Sequence, residues 1–503
     1  MHRSRLPPYT RSAAIVIILL GLTFRISQYA AGRSLWLDEA MLAQNIALRS
    51  GWQLALPLRS SLSLQVAPLG FLFVEKGVLG AAAAAPNDHA ALASRDYLLR
   101  LFPLVAGCLS LFLMNRLSGD CLAGSSAVLA LALFAFSTHQ IYYASELKQY
   151  STDVALALLV SLVTARLFEK ELSTAAGLWL AVLGSIAVWF SQPIVFVLAG
   201  AGLALIADHI TRRDRRTMQR LLWVYASWAL SFAILYVVTL RHIIGDPRLV
   251  DYWRDAFMPM PPWSNLRWFV DTLKAALRNP FDISPYPLGI ALLVIGSASW
   301  SWRAPRWAVL LLSPGLLALL ASGFKLYPFG ERLILFLAPS VLLLIAEGLE
   351  RVRWLLRGQP RLAIGVWSLF AACLLYQPVV SAVKHVADPR VREELRPVME
   401  YVRQQKQSGD WINVYRPAEP AFSFYAPLYG FERRDYSVGL NPQTHPDIFR
   451  GRQRAWVVLS HIRHDQSDDE AVLLAYLDSL GTQLDRIKRH GAAAYLYGVG
   501  QAR

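Results

Sequence analysis

Long apolar runs separated by short polar loops dominate the first three quarters of the chain. A run of about twenty apolar residues is long enough to cross a bilayer as an α-helix. The pattern therefore predicts about eleven membrane-spanning helices. They fall at residues 12–31, 97–116, 121–137, 151–168, 175–190, 193–208, 221–241, 287–302, 306–322, 332–350 and 361–377.

One further apolar stretch, at 66–79, is about 14 residues long and carries Glu75 and Lys76. Its length favours an interfacial or re-entrant segment over a span. If it does not span, the arginine-rich loops around 116, 212–216, 303–306 and 351–361 all fall on the side of the N-terminus. Basic loops concentrate on the cytoplasmic side of membrane proteins. We therefore predict a cytoplasmic N-terminus.

Four segments then lie on the outer side of the membrane, at 32–96, 138–150, 242–286 and 323–331. After about residue 377 the composition becomes polar, and strand patterns alternate with helix patterns. The predicted strands are 411–415, 456–460 and 494–499, and the predicted helices are 391–405 and 469–480. We predict a membrane domain at 1–380, which includes the first external loop at 32–96. A small soluble α/β domain at 381–503 follows on the external or periplasmic side.

Composition supports a membrane protein over a soluble one. Of the 503 residues, 55% are hydrophobic and only 17% are charged, whereas about 25% are charged in soluble domains. The net charge of +15 could suggest a nucleic-acid partner. The arginines cluster between apolar runs, however, so we expect no nucleic acid and assign the charge to membrane topology. The three cysteines show no metal-binding or disulfide spacing.

The adjacent acids Asp38 and Glu39 follow the first predicted span and begin a short amphipathic helix pattern at 39–49. Acidic residues complement the macrodipole at a helix N-terminus, which is one explanation for the pair. The other explanation is catalysis at the membrane surface. The pair alone does not decide between them.

Cations at the outer ends of predicted spans form a second group of candidates. Arg100 and Arg332 begin spans, Lys148 lies in the motif 142–150 with Glu146 and Tyr150, and Tyr327 lies shortly before Arg332. Arg25 lies inside the first span, where it either extends to the interface or faces a polar site. The positive-inside rule does not favour cations on the outer side. They suit an anion held there, such as the phosphate of a lipid-linked substrate, although interface anchoring is the alternative.

These motifs resemble a known superfamily. The segment from Arg25 through 34–40 is similar to the first external loop of GT-C glycosyltransferases that use polyprenyl-phosphate sugars. Protein O-mannosyltransferases and the lipid A aminoarabinose transferase belong to that superfamily. Further matching motifs follow in the same order at 67–70, 100–107, 146–151 and 330–339. The chain departs from the usual pattern where Ala67 replaces the first of two prolines and Lys148 replaces a commoner arginine.

The resemblance implies an inverting transfer in which Asp38 is the general base and Glu39 lies beside it. It also implies that Lys148, Arg332 and Arg100, with Tyr150, contact the donor phosphate, and Glu146, Tyr327 and Arg25 are further candidates. We expect no cofactor. A divalent ion on Asp38 and Glu146, as in oligosaccharyl transferases of the superfamily, stays open.

The sequence thus predicts an integral membrane glycosyltransferase, most simply of a bacterial inner membrane. It would transfer a sugar from a polyprenyl-phosphate donor to a glycan, lipid or protein acceptor on the extracytoplasmic side. The alternative is a transporter or flippase of lipid-linked saccharides. That alternative predicts repeated halves and polar residues at mid-membrane depth, and the sequence shows no clear internal repeat.

Overall fold

The structure is a computed structural model that describes residues 8–60, 62–82, 89–168, 170–211, 214–438, 449, 452–461 and 467–499. Arg212 and Arg213 of the predicted basic loop lie outside these residues. The chain forms two compact units. The helical unit comprises Met1–Ala30, Ala67–Leu72 and Arg100–Pro389, and the mixed unit comprises Ala31–Val66, Phe73–Leu99 and Arg390–Arg503.

Helices make up most of the described chain. In order, the α-helices are α1 (Pro8–Ala30), α2 (Leu37–Leu48), α3 (Leu69–Ala82), α4 (His89–Leu98), α5 (Leu101–Cys121), α6 (Gly124–Phe136), α7 (Thr138–Tyr143), α8 (Tyr150–Leu167), α9 (Thr174–Phe190), α10 (Ile194–Thr211), α11 (Arg215–Val238), α12 (Pro247–Tyr252), α13 (Leu266–Arg278), α14 (Tyr286–Arg303), α15 (Pro305–Gly323), α16 (Ala338–Leu355), α17 (Pro360–Ala387), α18 (Leu395–Gln405), α19 (Glu419–Tyr425) and α20 (Ser467–Leu480). Short 3-10 helices lie at Trp52–Ala55, Leu240–His242, Arg254–Ala256, Pro262–Asn265, Glu331–Leu337, Arg416–Ala418, Ala426–Tyr429 and Arg433–Asp435.

The chain is a polytopic α-helical membrane protein, as the hydropathy pattern predicts. Within the described residues, seven helices are long and apolar enough to cross a membrane, and three shorter apolar helices accompany them. Each of the eleven predicted spans overlaps one of the observed helices. The number of helices that span stays a prediction. The 14-residue α3 is not among the candidate spans.

The α-helix in the predicted span 332–350 begins later than predicted. Residues Glu331–Leu337 form a 3-10 helix, and the α-helix α16 starts only at Ala338. Pro339 lies in the first turn of α16. Proline lacks an N–H group, which an α-helix can omit only in its first turn. The position of Pro339 therefore explains why the α-helix starts there.

Glycines allow two helices of the helical unit, α14 and α16, to pack with their backbones in contact. A Cβ on Gly296 would lie 1.9 Å from the Leu344 carbonyl oxygen, and a Cβ on Gly348 would lie 2.0 Å from the Leu292 carbonyl oxygen. Small residues at such crossings are typical of membrane helices. Within a membrane the hydrophobic effect does not drive helices together, so van der Waals contacts between closely approaching backbones stabilise the pair.

The mixed unit contains a short antiparallel pair, β1 (Leu58–Arg59) with β2 (Leu64–Gln65). Its main sheet has five strands in the order β4-β3-β5-β7-β6. They are β3 (Trp411–Val414), β4 (Tyr436–Val438), β5 (Arg454–Ser460), β6 (Gly481–Arg489) and β7 (Ala492–Val499). Strand β3 pairs in parallel with β4 and β5, whereas β7 is antiparallel to β5 and β6. The predicted small C-terminal α/β domain is confirmed.

Candidate functional site

The acid pair of the mixed unit lies in the first turn of α2. Trp36, the residue before the helix, donates its backbone N–H to the Glu39 Oε2 atom at 3.4 Å. The Arg33 Nη2 atom lies 3.9 Å from Glu39 Oε1, and both side chains are buried. The first N–H groups of a helix lack intrahelical partners, and an acid at the third position satisfies one of them. Glu39 therefore stabilises the start of the helix.

Asp38 differs from its neighbour in accessibility. It is partly exposed, whereas Glu39 is buried. Successive residues of a helix point about 100° apart, so the two carboxylates face different surroundings. A base must reach the proton that it removes. Of the two acids, Asp38 is the more accessible.

The helical unit contains the motif 142–150 as a buried turn between α7 and α8. Lys148 is only 4% exposed, Glu146 is fully buried and Tyr150 is buried. Neither carboxylate oxygen of Glu146 has a hydrogen-bond partner among the described residues. The rings of Tyr143 and Tyr150 pack edge to face, with centroids 5.0 Å apart. The structure thus gathers three predicted site residues in one turn.

The position of Lys148 is electrostatically unusual. It comes two residues before the start of α8, where the helix macrodipole carries partial positive charge and disfavours a cation. Burying an ammonium group also costs free energy unless an anion or a polar partner compensates. A phosphate held at this position would interact favourably with both the lysine and the positive end of the helix dipole.

Tyr327 lies near this turn. Its hydroxyl donates to the Leu333 carbonyl oxygen at 2.7 Å, and its ring packs on Phe196. Burial, together with the neighbouring Asp153 and Tyr150, raises the pKa of Tyr327 well above its ordinary value. Tyr327 therefore keeps its proton and can act only as a neutral hydrogen-bonding group.

Two further cations of the helical unit are Arg332 and Arg100. The Arg332 guanidinium lies over the Trp253 ring, 5.6 Å from its centroid. Trp253 belongs to the aromatic segment 242–286, which is predicted to lie on the outer side, and such a cation–π contact orients an arginine. Arg100 immediately precedes α5 and is only 2% exposed. Both arginines lie next to helix starts, as Lys148 does.

Arg25 faces the interior of the helical unit and does not extend to the interface. It is fully buried, and its Nη1 atom donates to the carbonyl oxygens of Gly21 at 3.0 Å and Ala135 at 3.1 Å. Ala135 lies in the last turn of α6, where carbonyl groups lack intrahelical partners and a cation is favourable. Arg25 therefore links α1 to the end of α6.

Sequence reasoning missed a cluster around Asp282, in the loop between α13 and α14. The carboxylate accepts hydrogen bonds from the Ser137 hydroxyl at 2.7 Å, the Thr138 hydroxyl at 3.1 Å and the His139 backbone N–H at 3.0 Å. His139 Nδ1 lies 2.8 Å away. Burial opposes ionisation, but His139 and these hydrogen bonds outweigh it, so the pKa of Asp282 lies below its ordinary value. No local pattern relates an acid to partners 143 positions earlier.

The described residues contain no group of three or more His, Cys, Asp or Glu side chains arranged to hold a metal ion. Asp38 belongs to the mixed unit and Glu146 to the helical unit.

The two units define a polytopic membrane protein with the GT-C fold, which confirms the resemblance at the level of the fold. The apo structure of ArnT from Cupriavidus metallidurans is similar with a TM-score of 0.52 and 12% identity, over 96% of this chain and 98% of ArnT. The apo oligosaccharyltransferase of Archaeoglobus fulgidus has a TM-score of 0.52 and 13% identity, over 97% of this chain and 74% of that one. AglB from the same organism, in complex with an inhibitory peptide and a dolichol-phosphate, has a TM-score of 0.50 and 11% identity, over the same shares of the two chains. No family profile matches the sequence, and no curated protein matches it significantly.

Proposed function

We propose that the chain is a membrane glycosyltransferase that uses a polyprenyl-phosphate sugar. The acceptor is a hydroxyl group of a glycan, lipid or protein on the extracytoplasmic side, most simply of a bacterial inner membrane. The N-terminus is then cytoplasmic and the C-terminal domain periplasmic or extracellular.

The reaction is a single displacement at the anomeric carbon. Asp38 takes the proton of the acceptor hydroxyl as the acceptor oxygen bonds to that carbon. The bond between this carbon and the phosphate oxygen breaks, and the electron pair leaves with the polyprenyl phosphate. Attack from the face opposite the leaving group inverts the configuration. Cations at the leaving phosphate stabilise the charge that develops there.

Lys148 supplies the observation that carries the proposal. This buried lysine lies two residues before the N-terminus of α8, so its ammonium group and the positive end of the helix dipole together suit a phosphate, and Tyr150 and Glu146 lie beside it. Arg332 and Arg100 add two donors with geometry suited to phosphate. The similar structures support the lipid-linked class: ArnT is a lipid A aminoarabinose transferase, and AglB is described with a dolichol-phosphate.

The experiment separates donor binding from chemistry in the full-length protein reconstituted in nanodiscs. Undecaprenyl phosphate serves as the binding probe, measured by native mass spectrometry. Transfer is measured with radiolabelled polyprenyl-phosphate sugars extracted from the producing cells. Lys148→Ala removes one charge-assisted interaction worth about 1.5–3 kcal/mol, so we expect about 10- to 100-fold weaker probe binding. Lys148→Arg keeps the charge and should retain most of the binding.

Two variants complete the design. Lys170→Ala removes an exposed lysine just after the other end of α8 and should leave probe binding unchanged. Asp38→Asn should bind the probe normally and transfer no sugar, because the amide cannot accept the proton. Near-normal turnover by Asp38→Asn contradicts the assignment of the base. Equal probe binding by Lys148→Ala and the wild type contradicts the donor site.

A further inference from the structure

The loop that precedes α2 is buried, although most buried backbone in proteins belongs to regular helices and strands. Ser34, Leu35 and Trp36 are all buried within the mixed unit. Buried backbone N–H groups must find hydrogen-bond partners. The N–H of Trp36 donates to Glu39, whereas the partner of the Leu35 N–H comes from the C-terminal part of the chain.

A closed network holds the backbone at Leu35. Its N–H donates to the Tyr425 hydroxyl oxygen at 2.8 Å. That hydroxyl donates in turn to the Asp96 Oδ2 atom at 3.3 Å. Arg396 Nη1 completes the network with a 2.9 Å ion pair to the same oxygen. Because Asp96 is buried, it needs both partners to compensate the loss of water.

Two further contacts lie on either side of Leu35. The backbone N–H of Arg396 donates to the Ser34 hydroxyl oxygen at 3.0 Å. The Arg392 guanidinium lies over the Trp36 ring, 4.0 Å from its centroid. Three consecutive loop residues are thus each held by a residue between 392 and 425. Asp38 follows two residues after Trp36.

The arginine of this ion pair keeps its charge when the pH changes. Burial alone would lower the pKa of Arg396, but the Asp96 carboxylate, with Tyr425 and Tyr429, outweighs burial and holds that pKa above its ordinary value. The guanidinium is therefore always charged. Removing either member of such a pair leaves a buried charge without its partner, which is strongly unfavourable.

We propose that the C-terminal α/β domain positions the general base: Tyr425 and Arg396 of this domain, together with Asp96, fix the backbone at 34–36 and thereby the direction of Asp38. These three are positioning residues, and the inference rests on the proposed role of Asp38. Small displacements of a catalytic group reduce the rate steeply, because the reacting atoms must be aligned. The donor-phosphate candidates belong to the helical unit, so loss of the network should lower kcat and leave donor binding unchanged.

Tyr425→Phe tests the proposal, since it removes one hydroxyl and keeps the buried ring. Amide hydrogen exchange of residues 34–40, followed by mass spectrometry on the full-length protein in nanodiscs, should become faster. We expect kcat to fall by about 10- to 100-fold, with KM for the lipid-linked donor and binding of undecaprenyl phosphate unchanged. Asp96→Asn, which weakens the ion pair by another route, should have the same signature.

Tyr497→Phe is the matched control. Tyr497 is a buried tyrosine of the same domain, and its hydroxyl donates to Asp478 Oδ1 at 2.8 Å. Its loss should lower thermal stability without changing kcat or exchange at 34–40. Equal kcat losses in Tyr425→Phe and Tyr497→Phe, or unchanged exchange in Tyr425→Phe, would overturn the positioning role. The exchange measurement needs no activity. If Asp38→Asn is active, the proposed base is rejected. If amide exchange in Tyr425→Phe is nevertheless faster, the contact of Tyr425 with the loop at 34–36 still holds that loop in place.

Discussion

Replacement of Asp282 by asparagine offers a quantitative test of the segment 242–286 of the helical unit, which is predicted to lie on the outer side. The carboxylate accepts from the hydroxyls of Ser137 and Thr138 and from two nitrogens of His139. The amide of Asp282→Asn has one acceptor oxygen, and its NH₂ group meets donors. The hydroxyls can rotate and His139 can change tautomer. The backbone N–H of His139 cannot turn away.

The expected loss of stability follows from these contacts. A hydrogen bond to a charged group is worth about 1.5–3 kcal/mol and a neutral one about 0.5–1.5 kcal/mol, so each of the four donors loses about 1 kcal/mol. The Asp282 side chain is only 14% exposed, and removing its charge recovers part of the desolvation cost. We expect a net decrease of about 2–3 kcal/mol.

Thermal unfolding of the purified protein in detergent, followed by tryptophan fluorescence, measures the loss. Because the folded pKa of Asp282 is depressed, its contribution is fully present above the ordinary carboxyl pKa of about 3.9. It is lost as the pH falls through the lower, folded value. The unfolding temperatures of wild type and Asp282→Asn should therefore differ at neutral pH and converge in acid.

Asp251→Asn provides the control, since this acid lies in the same outer segment with its side chain 80% exposed. It should unfold at the wild-type temperature. If Asp282→Asn also unfolds at the wild-type temperature at neutral pH, the cluster contributes nothing to stability. A difference between Asp282→Asn and wild type that widens on acidification would contradict the assigned ionisation state.

Two other predictions concern the helical unit and use the same unfolding assay. Gly348→Ala places a Cβ against the Leu292 carbonyl oxygen and should lower the free energy of unfolding by about 1–3 kcal/mol through overpacking. The control Gly365→Ala, with no atom near its Cβ, should change stability little. Equal losses of stability in the two variants would contradict the close packing. Arg25→Met should stay within about 1.5 kcal/mol of wild type, because an apolar side chain of similar length replaces a buried charge. Arg25→Ala leaves a cavity beside Ala135 and should cost about 2–5 kcal/mol, so a tolerated alanine would argue against the buried position of Arg25.

Hydropathy predicted the long apolar helices of the helical unit, because length and apolar composition are local properties, and it missed the shorter helices α7, α12 and α13. It could not predict where α16 begins, since the run from Leu333 to Ala346 is continuously apolar except for one proline and one serine. The first turn of α16 contains Pro339. The apolar run alone carries no sign of the change from 3-10 to α geometry.

In the C-terminal domain the sequence pattern predicted the buried strands and missed the edges. Strands β3, β5 and β7 are largely buried and read as apolar runs. Strand β6 lies at one edge of the sheet and is mostly exposed. Its sequence is therefore largely polar and lacks the alternation of apolar and polar residues that indicates a strand. Strand β4, at the other edge, has only three residues.

The candidate site was predictable in its parts and not in its connections. Order and charge identified Asp38, Lys148 and Arg332 as candidates, and these roles stay predictions. The resemblance assigned the base to Asp38 and placed Glu39 beside it, and the sequence alone provided no physical reason for that difference. Burial and hydrogen bonding supply one, since Glu39 is buried at the start of α2 and Asp38 is partly exposed. The contact of Leu35 with Tyr425 joins residues 390 positions apart. No local pattern encodes such a pairing.

The network around Asp96 has a consequence for biosynthesis. The mixed unit is assembled from residues 31–99, apart from 67–72, and from 390–503. Ribosomes deliver the chain from its N-terminus, so every helix of the helical unit emerges before Arg396 and Tyr425 exist to hold the loop. In a nascent chain the loop before Asp38 therefore lacks its contacts with Arg396 and Tyr425 while the helices insert into the membrane. Under the proposed positioning role, we expect chains truncated before Arg396 to be inactive even when every helix of the helical unit is present.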